Sequence, residues 1–225
     1  MSPNEDKEKL NKEPEVVLVK AEVEIKKEEK SEGPASANPP SHKASEGQRA
    51  TTGEEKTPED KLKLKHYIQS VGYCGPAALK ILLSYFGKDF TEEQLAQMAA
   101  ATREKGAEHE GLVEAIKSID GYVFVKEKGT IEEVEYFIKE EKLPVIIGWF
   151  DKDGDHYSVV ANVTDKNIIV VDPATDEPER WIDKVTFPRV WFDFVGDDDK
   201  TVSWGWYMVV NFQKKRYKVK GGHYY

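Results

Sequence analysis

Gln69-Ser70-Val71-Gly72-Tyr73-Cys74-Gly75-Pro76-Ala77-Ala78-Leu79 holds the only cysteine of the 225-residue chain. Two glycines flank Cys74, a proline follows, and then comes a run of good helix formers. Gly72 suits a sharp turn, and Pro76 suits a first helical turn because it has no N–H to leave unpaired. The pattern therefore predicts a thiol at a helix N-terminus, where the positive end of the dipole favours a thiolate. The alternative is a buried structural thiol, since free cysteines are commonly buried.

Three more groups complete a set. Gln69 lies five residues upstream, where its amide could donate to an oxyanion beside the Cys74 N–H. Far downstream, His156 opens the apolar run His156-Tyr157-Ser158-Val159-Val160, and Asp172 closes Val170-Val171-Asp172-Pro173. If these are adjacent antiparallel strands, the first starts where the second ends, and His156 and Asp172 become neighbours. Thiol, imidazole, carboxylate and amide in that order suit a cysteine nucleophile, its general base and acid, an orienting carboxylate and an oxyanion donor. Each residue also has a plainer reading: a turn glutamine, a strand-end histidine, a strand-end aspartate.

Outward from this set, Thr91-Glu92-Glu93-Gln94 and Thr130-Ile131-Glu132-Glu133 are capping boxes that open helices. Another helix is expected over Glu108 to Lys117. Gly87 is placed to end the helix of Cys74. Tyr122 to Val125, Pro144 to Phe150, His156 to Val163, Ile168 to Asp172 and Trp204 to Phe212 read as strands. Short polar turns join the central ones, which implies an antiparallel meander. Helices first and an antiparallel sheet second make an α+β fold. Asp151-Lys152-Asp153-Gly154-Asp155 reads as a hairpin turn; a calcium loop needs Gly at its sixth position and Glu at its twelfth, which are His156 and Asn162 here. His109 and Glu110 read as a solvated helix start, Asp197-Asp198-Asp199 as a solvated loop, and most tryptophans as core.

Residues 1–58 are rich in Glu, Lys, Ser, Pro and Gly and carry no aromatic residue, so a disordered tail is expected. Within it, Val17, Val19, Ala21, Val23 and Ile25 alternate with Leu18, Lys20, Glu22, Glu24 and Lys26, mostly a strand period, either as an extended piece of tail or as a strand that adds to a sheet edge. Residues 59–213 are expected to form one domain, and 214–225 a basic, frayed tail. One cysteine excludes an intrachain disulfide and a multi-cysteine zinc site. The net charge of −9 argues against a nucleic-acid partner. No apolar run approaches ~20 residues, so no membrane span is expected. The first residues lack an apolar signal core, which makes a cytoplasmic location the default. The sequence does not fix an oligomeric state.

The segments around Cys74, His156 and Asp172 resemble the bacteriocin-processing, double-glycine leader peptidase family of cysteine peptidases. The resemblance runs from about Tyr67 to Phe212 and implies a papain-like fold. It implies Cys74 as nucleophile, His156 as base and acid, Asp172 as orienting carboxylate and Gln69 as oxyanion donor, with a peptide or protein substrate and no cofactor. An acidic residue often precedes the cysteine in that family; here it is Tyr73. The alternatives are a peptide- or protein-binding module on the same fold, or a variant that passes the acyl group to an amine.

Overall fold

The computed structural model describes residues 61–152, 154–196 and 200–225. The charged N-terminal segment with its run Val17–Ile25, Asp153 and the triplet Asp197–Asp199 lie outside the described residues.

Both capping boxes form. Thr91 accepts from the Gln94 N–H, and the Gln94 side chain takes the Thr91 N–H; Thr130 and Glu133 do the same. Each box pairs two amide donors that a helix start leaves orphaned, worth roughly 1 kcal/mol. They open α2 (Glu92–Met98) and α4 (Ile131–Lys139). The helix α1 runs Cys74–Tyr85 and stops where Gly87, at φ +67, turns the chain away. The helix α3 covers His109–Lys117 and buries Leu112, Val113, Ala115 and Ile116.

The main sheet has seven strands: β1 (Tyr122–Lys126), β2 (Val145–Asp151), β3 (Gly154–Val163), β4 (Asn167–Val171), β5 (Arg180–Asp183), β8 (Tyr207–Asn211) and β9 (His223–Tyr224), in the order β5-β4-β3-β2-β8-β1-β9. All its pairings are antiparallel. The strands β2 to β4 form the expected meander, β5 extends it by an edge strand that was not expected, and β8 returns to fill the space between β2 and β1. A short helix, α5 (Phe187–Val190), precedes a separate hairpin of β6 (Phe192–Val195) and β7 (Thr201–Trp204).

Successive residues of a strand point to opposite faces, so an all-apolar strand must be covered on both. On one face Ile146, Val159, Ala161 and Met208 join Leu79, Leu82, Leu112 and Ile116 from α1 and α3. On the other, Val145, Ile147, Val160 and Val209 join Val134, Phe137 and Ile138 of α4 and Phe187 of α5. Burial of this kind contributes about 25 cal/mol per Å² of apolar surface. No described helix is long and apolar enough to cross a membrane.

Two expectations are corrected. Trp204 to Phe212 is not one strand, because Gly205 adopts φ +61 and approaches Gly129 so closely that a Cβ would meet its nitrogen at 2.9 Å. Trp204 therefore stays in the hairpin while Tyr207 starts β8. The C-terminal segment is not frayed. His223 and Tyr224 pair with β1, and Tyr217 and Tyr224 pack their rings against Phe124. The basic residues there obscured this apolar contribution.

Candidate active site

The turn before α1 depends on Gly72. Its φ is +78, and a Cβ there would lie 2.1 Å from the Arg103 carbonyl oxygen. The Tyr73 N–H donates to the Ser70 carbonyl at 3.0 Å, which closes the turn and delivers Cys74 as the first residue of α1. Cys74 is half-buried. No side chain caps this helix, so its positive end is left to the thiol. Tyr73 lies under the Arg103 guanidinium at 4.9 Å.

His156 lies near the start of β3, in register with Trp149 of β2. Its Nε2 lies 2.7 Å from Asp172 Oδ1, and the Cys74 thiol is close enough to act on its charge. With Nε2 engaged, Nδ1 is the ring nitrogen left for the thiol. Trp149 sets its ring edge-on to the imidazole, with centroids 5.9 Å apart, and thereby shields the pair from water. Burial disfavours charge on His156, but the hydrogen bond to Asp172 and the charges of Asp172 and Cys74 prevail and raise its pKa to about 9.

Asp172 follows β4 and is fully buried. Burial alone would raise its pKa; His156, the Ala174 N–H and Arg180 outweigh that and lower it to about 2. The Ala174 N–H donates to Oδ1 at 2.9 Å, and Arg180 Nη1 to Oδ2 at 2.6 Å. His66 holds the main chain, with Nε2 3.0 Å from the Asp172 carbonyl. The Gln69 N–H donates to the Pro173 carbonyl at 2.8 Å, so the Gln69 segment runs beside the same turn. The Gln69 side-chain oxygen is buried and has no hydrogen-bond partner among the described residues.

Thus His156 is hydrogen-bonded to Asp172 with Cys74 beside it, and Gln69 is anchored next to them through its backbone. Sequence reasoning missed Arg180, His66 and Trp149. Asp151 was noticed only as a turn carboxylate, and it accepts both Arg180 Nη1 and Nη2, at 2.8 and 2.9 Å. Among the described residues no group of three His, Cys, Asp or Glu side chains could hold a metal ion.

His109 is not a solvated helix start. It is 6% exposed, stacks on Trp206 with centroids 3.9 Å apart, and bonds Asp193 through Nε2 at 2.6 Å. The pair ties α3 to β6 across Gly148, where a Cβ would fall 2.3 Å from Asp193 Oδ2. Gly148→Ala is therefore expected to push a buried hydrogen-bonded pair apart. Overpacking of this kind costs about 1–3 kcal/mol, and at this chain length about 3 kcal/mol lowers Tm by roughly 10 °C. Calorimetry of the variant checks it; an unchanged Tm would mean that the pair moves aside freely.

Residues 65–195, more than half of the chain, match the Peptidase C39 family. The chain belongs to this family. It is 32% identical over 131 residues to the pediocin PA-1 transport/processing ATP-binding protein PedD of Pediococcus acidilactici, covering 56% of this chain and 17% of that protein. The chain thus spans only a small part of that relative. An uncharacterized protein of Methanothermobacter marburgensis is 37% identical over 107 residues, covering 47% of this chain and 69% of its own. Among solved structures, the peptidase domain of Streptococcus ComA, a bifunctional ABC transporter, superposes with a TM-score of 0.53 at 18% identity, over 68% of this chain and 99% of that one. A double-glycine motif protease from an AMS/PCAT transporter, solved with its leader peptide, gives 0.50 at 20% identity, over 67% and 92%. A C39-like peptidase from Bacillus anthracis gives 0.51 at 16%, over 68% and 100%. At these identities the structures bear on the fold alone: it is the papain-like α+β fold of C39 peptidases. The C39 membership gives the chain a cysteine-peptidase type of domain.

Proposed function

We propose that the chain hydrolyses peptide bonds through a covalent intermediate on Cys74. The observation that carries this reading is the buried His156–Asp172 hydrogen bond set beside Cys74 at an uncapped helix start. In the cycle His156 takes the Cys74 proton, and Asp172 stabilises the resulting imidazolium. The thiolate attacks the peptide carbonyl carbon, and the oxyanion is held by the Cys74 N–H and the Gln69 amide. His156 gives its proton to the departing amine, the C–N bond breaks, and a thioester remains. Water then loses a proton to His156 and attacks the thioester. The acid product leaves as the sulfur departs, with the proton again on His156. The cycle needs no cofactor.

The substrate is a peptide with small residues before the cut. The double-glycine motif of a C39 structural neighbour supports that choice. The test is to incubate the purified chain with peptides bearing a Gly-Gly junction, alongside a mixed peptide library, and to read products by mass spectrometry. Two fragments that sum to substrate plus water are expected. The rate should hold through neutral pH and fall as pH rises past about 9, where His156 loses its proton. An intact library after long incubation with reduced protein would overturn the reading.

A further inference from the structure

We propose that Arg180 is the positioning residue of this site, fixing the rotation of the Asp172 carboxylate so that Oδ1 stays aimed at His156. The inference rests on the peptidase reading of Cys74, His156 and Asp172.

The two oxygens of Asp172 are held differently. Oδ1 accepts from His156 and from the Ala174 N–H, at 2.7 and 2.9 Å. Oδ2 accepts from Arg180 Nη1 at 2.6 Å. A twist of the carboxylate that weakened the bond to His156 would have to break this charge-assisted contact, among the stronger hydrogen bonds available to a side chain.

Arg180 can resist that twist because it is itself fixed. Its fork grips Asp151 through Nη1 at 2.8 Å and Nη2 at 2.9 Å, and its plane lies over the Trp149 ring at 4.8 Å. Asp151 ends β2 and Arg180 begins β5, the edge strand; β3 and β4, which carry His156 and lead into Asp172, lie between them. The clasp therefore spans the two strands whose ends must stay in register for the His156–Asp172 contact. The same Trp149 ring that carries the guanidinium also stands edge-on to His156. One planar group thus touches the carboxylate, its anchor and the shield of the imidazole. A lysine offers donors without the flat fork, so it would hold one carboxylate at a time.

The test compares Arg180→Met and Arg180→Lys with the parent chain. For peptide cleavage, kcat should fall about 10–100-fold in Arg180→Met, as for other groups that orient a reacting side chain from behind. KM should stay within about twofold, because Arg180 is placed to touch Asp172 and not substrate. Arg180→Lys should lie between, and added guanidinium ion at non-denaturing concentration should restore part of the Met variant's kcat but none of an Asp172→Ala variant's. A purely structural role would not give that rescue. Independently of turnover, the far-downfield proton resonance of the His156–Asp172 hydrogen bond, identified by its loss in His156→Ala, should broaden or vanish in Arg180→Met. A folded Met variant with unchanged kcat, or with that resonance unchanged, overturns the proposal. If the Met variant fails to fold, the Lys variant is read by the same two criteria. A parent chain that cuts no peptide counts against the peptidase reading instead, and the resonance still decides the role of Arg180.

Discussion

Cys74→Ala is expected to abolish peptide cleavage while leaving the fold intact. On the proposed mechanism the sulfur forms the only covalent bond to substrate, and no other cysteine exists to replace it. Loss of a nucleophile of this kind lowers kcat by about 10⁴-fold or more, leaving what binding and the oxyanion donors supply alone. The structural cost is small. Cys74 is half-buried at a helix start, and alanine keeps its Cβ and favours the helix. Tm should stay within ~3 °C of the parent, at about 2–4 °C per kcal/mol for a chain of this size. Fragment release by the variant at near-parental rate would remove Cys74 from the mechanism. Parallel loss of Tm and activity would instead make it a structural thiol.

Asp172→Ala should damage both stability and activity. The carboxylate is fully buried between His156 and Arg180. Its removal strands two groups that are cationic beside it, and breaking a buried pair from one side costs about 3–5 kcal/mol. A drop of roughly 10 °C in Tm follows. Activity should fall about 10²–10⁴-fold, because the imidazole loses both its orientation and the charge that stabilises its protonated form.

The pH dependence identifies the cause. The Asp172 pKa is depressed to about 2, so its stabilisation is present above its ordinary value near 3.8 and is lost as pH falls through about 2. The His156 pKa is raised to about 9, so its stabilisation is complete below its ordinary value of 6.5 and is lost as pH rises through about 9. The Tm gap between parent and variant should therefore be widest between about pH 4 and 6.5 and narrow on either side. Thermal melts across pH 3 to 10 check this; a gap independent of pH would mean that packing, not charge, was lost.

The local signals of the chain were legible because their physics is local. Gly72, Pro76 and the two capping boxes each act within a few residues, and each appears where it was read. The adjacency of His156 and Asp172 was also legible, because two apolar runs joined by a short turn fix which strand ends meet. Arg180 was not. It sits at the start of a short edge strand, and nothing in Glu179-Arg180-Trp181 distinguishes it from a solvated arginine. Its role follows from Asp151, three strands away across the sheet. His109 failed for the same reason: periodicity locates a helix start, but its partner Asp193 lies in a hairpin 84 residues later. The break at Gly205 was hidden because the flanking residues are all good strand formers, and the φ of a glycine cannot be read from its neighbours.

The most direct test of the central claim is the rate at which iodoacetamide alkylates Cys74 as a function of pH, in the parent chain and in His156→Ala. With the sulfur held as a thiolate beside the imidazolium, the parent should react readily at pH 5–6, and His156→Ala should lose that acid-range reactivity. A parent that reacts only in the alkaline range where free thiols ionise, with His156→Ala indistinguishable from it, would contradict the account.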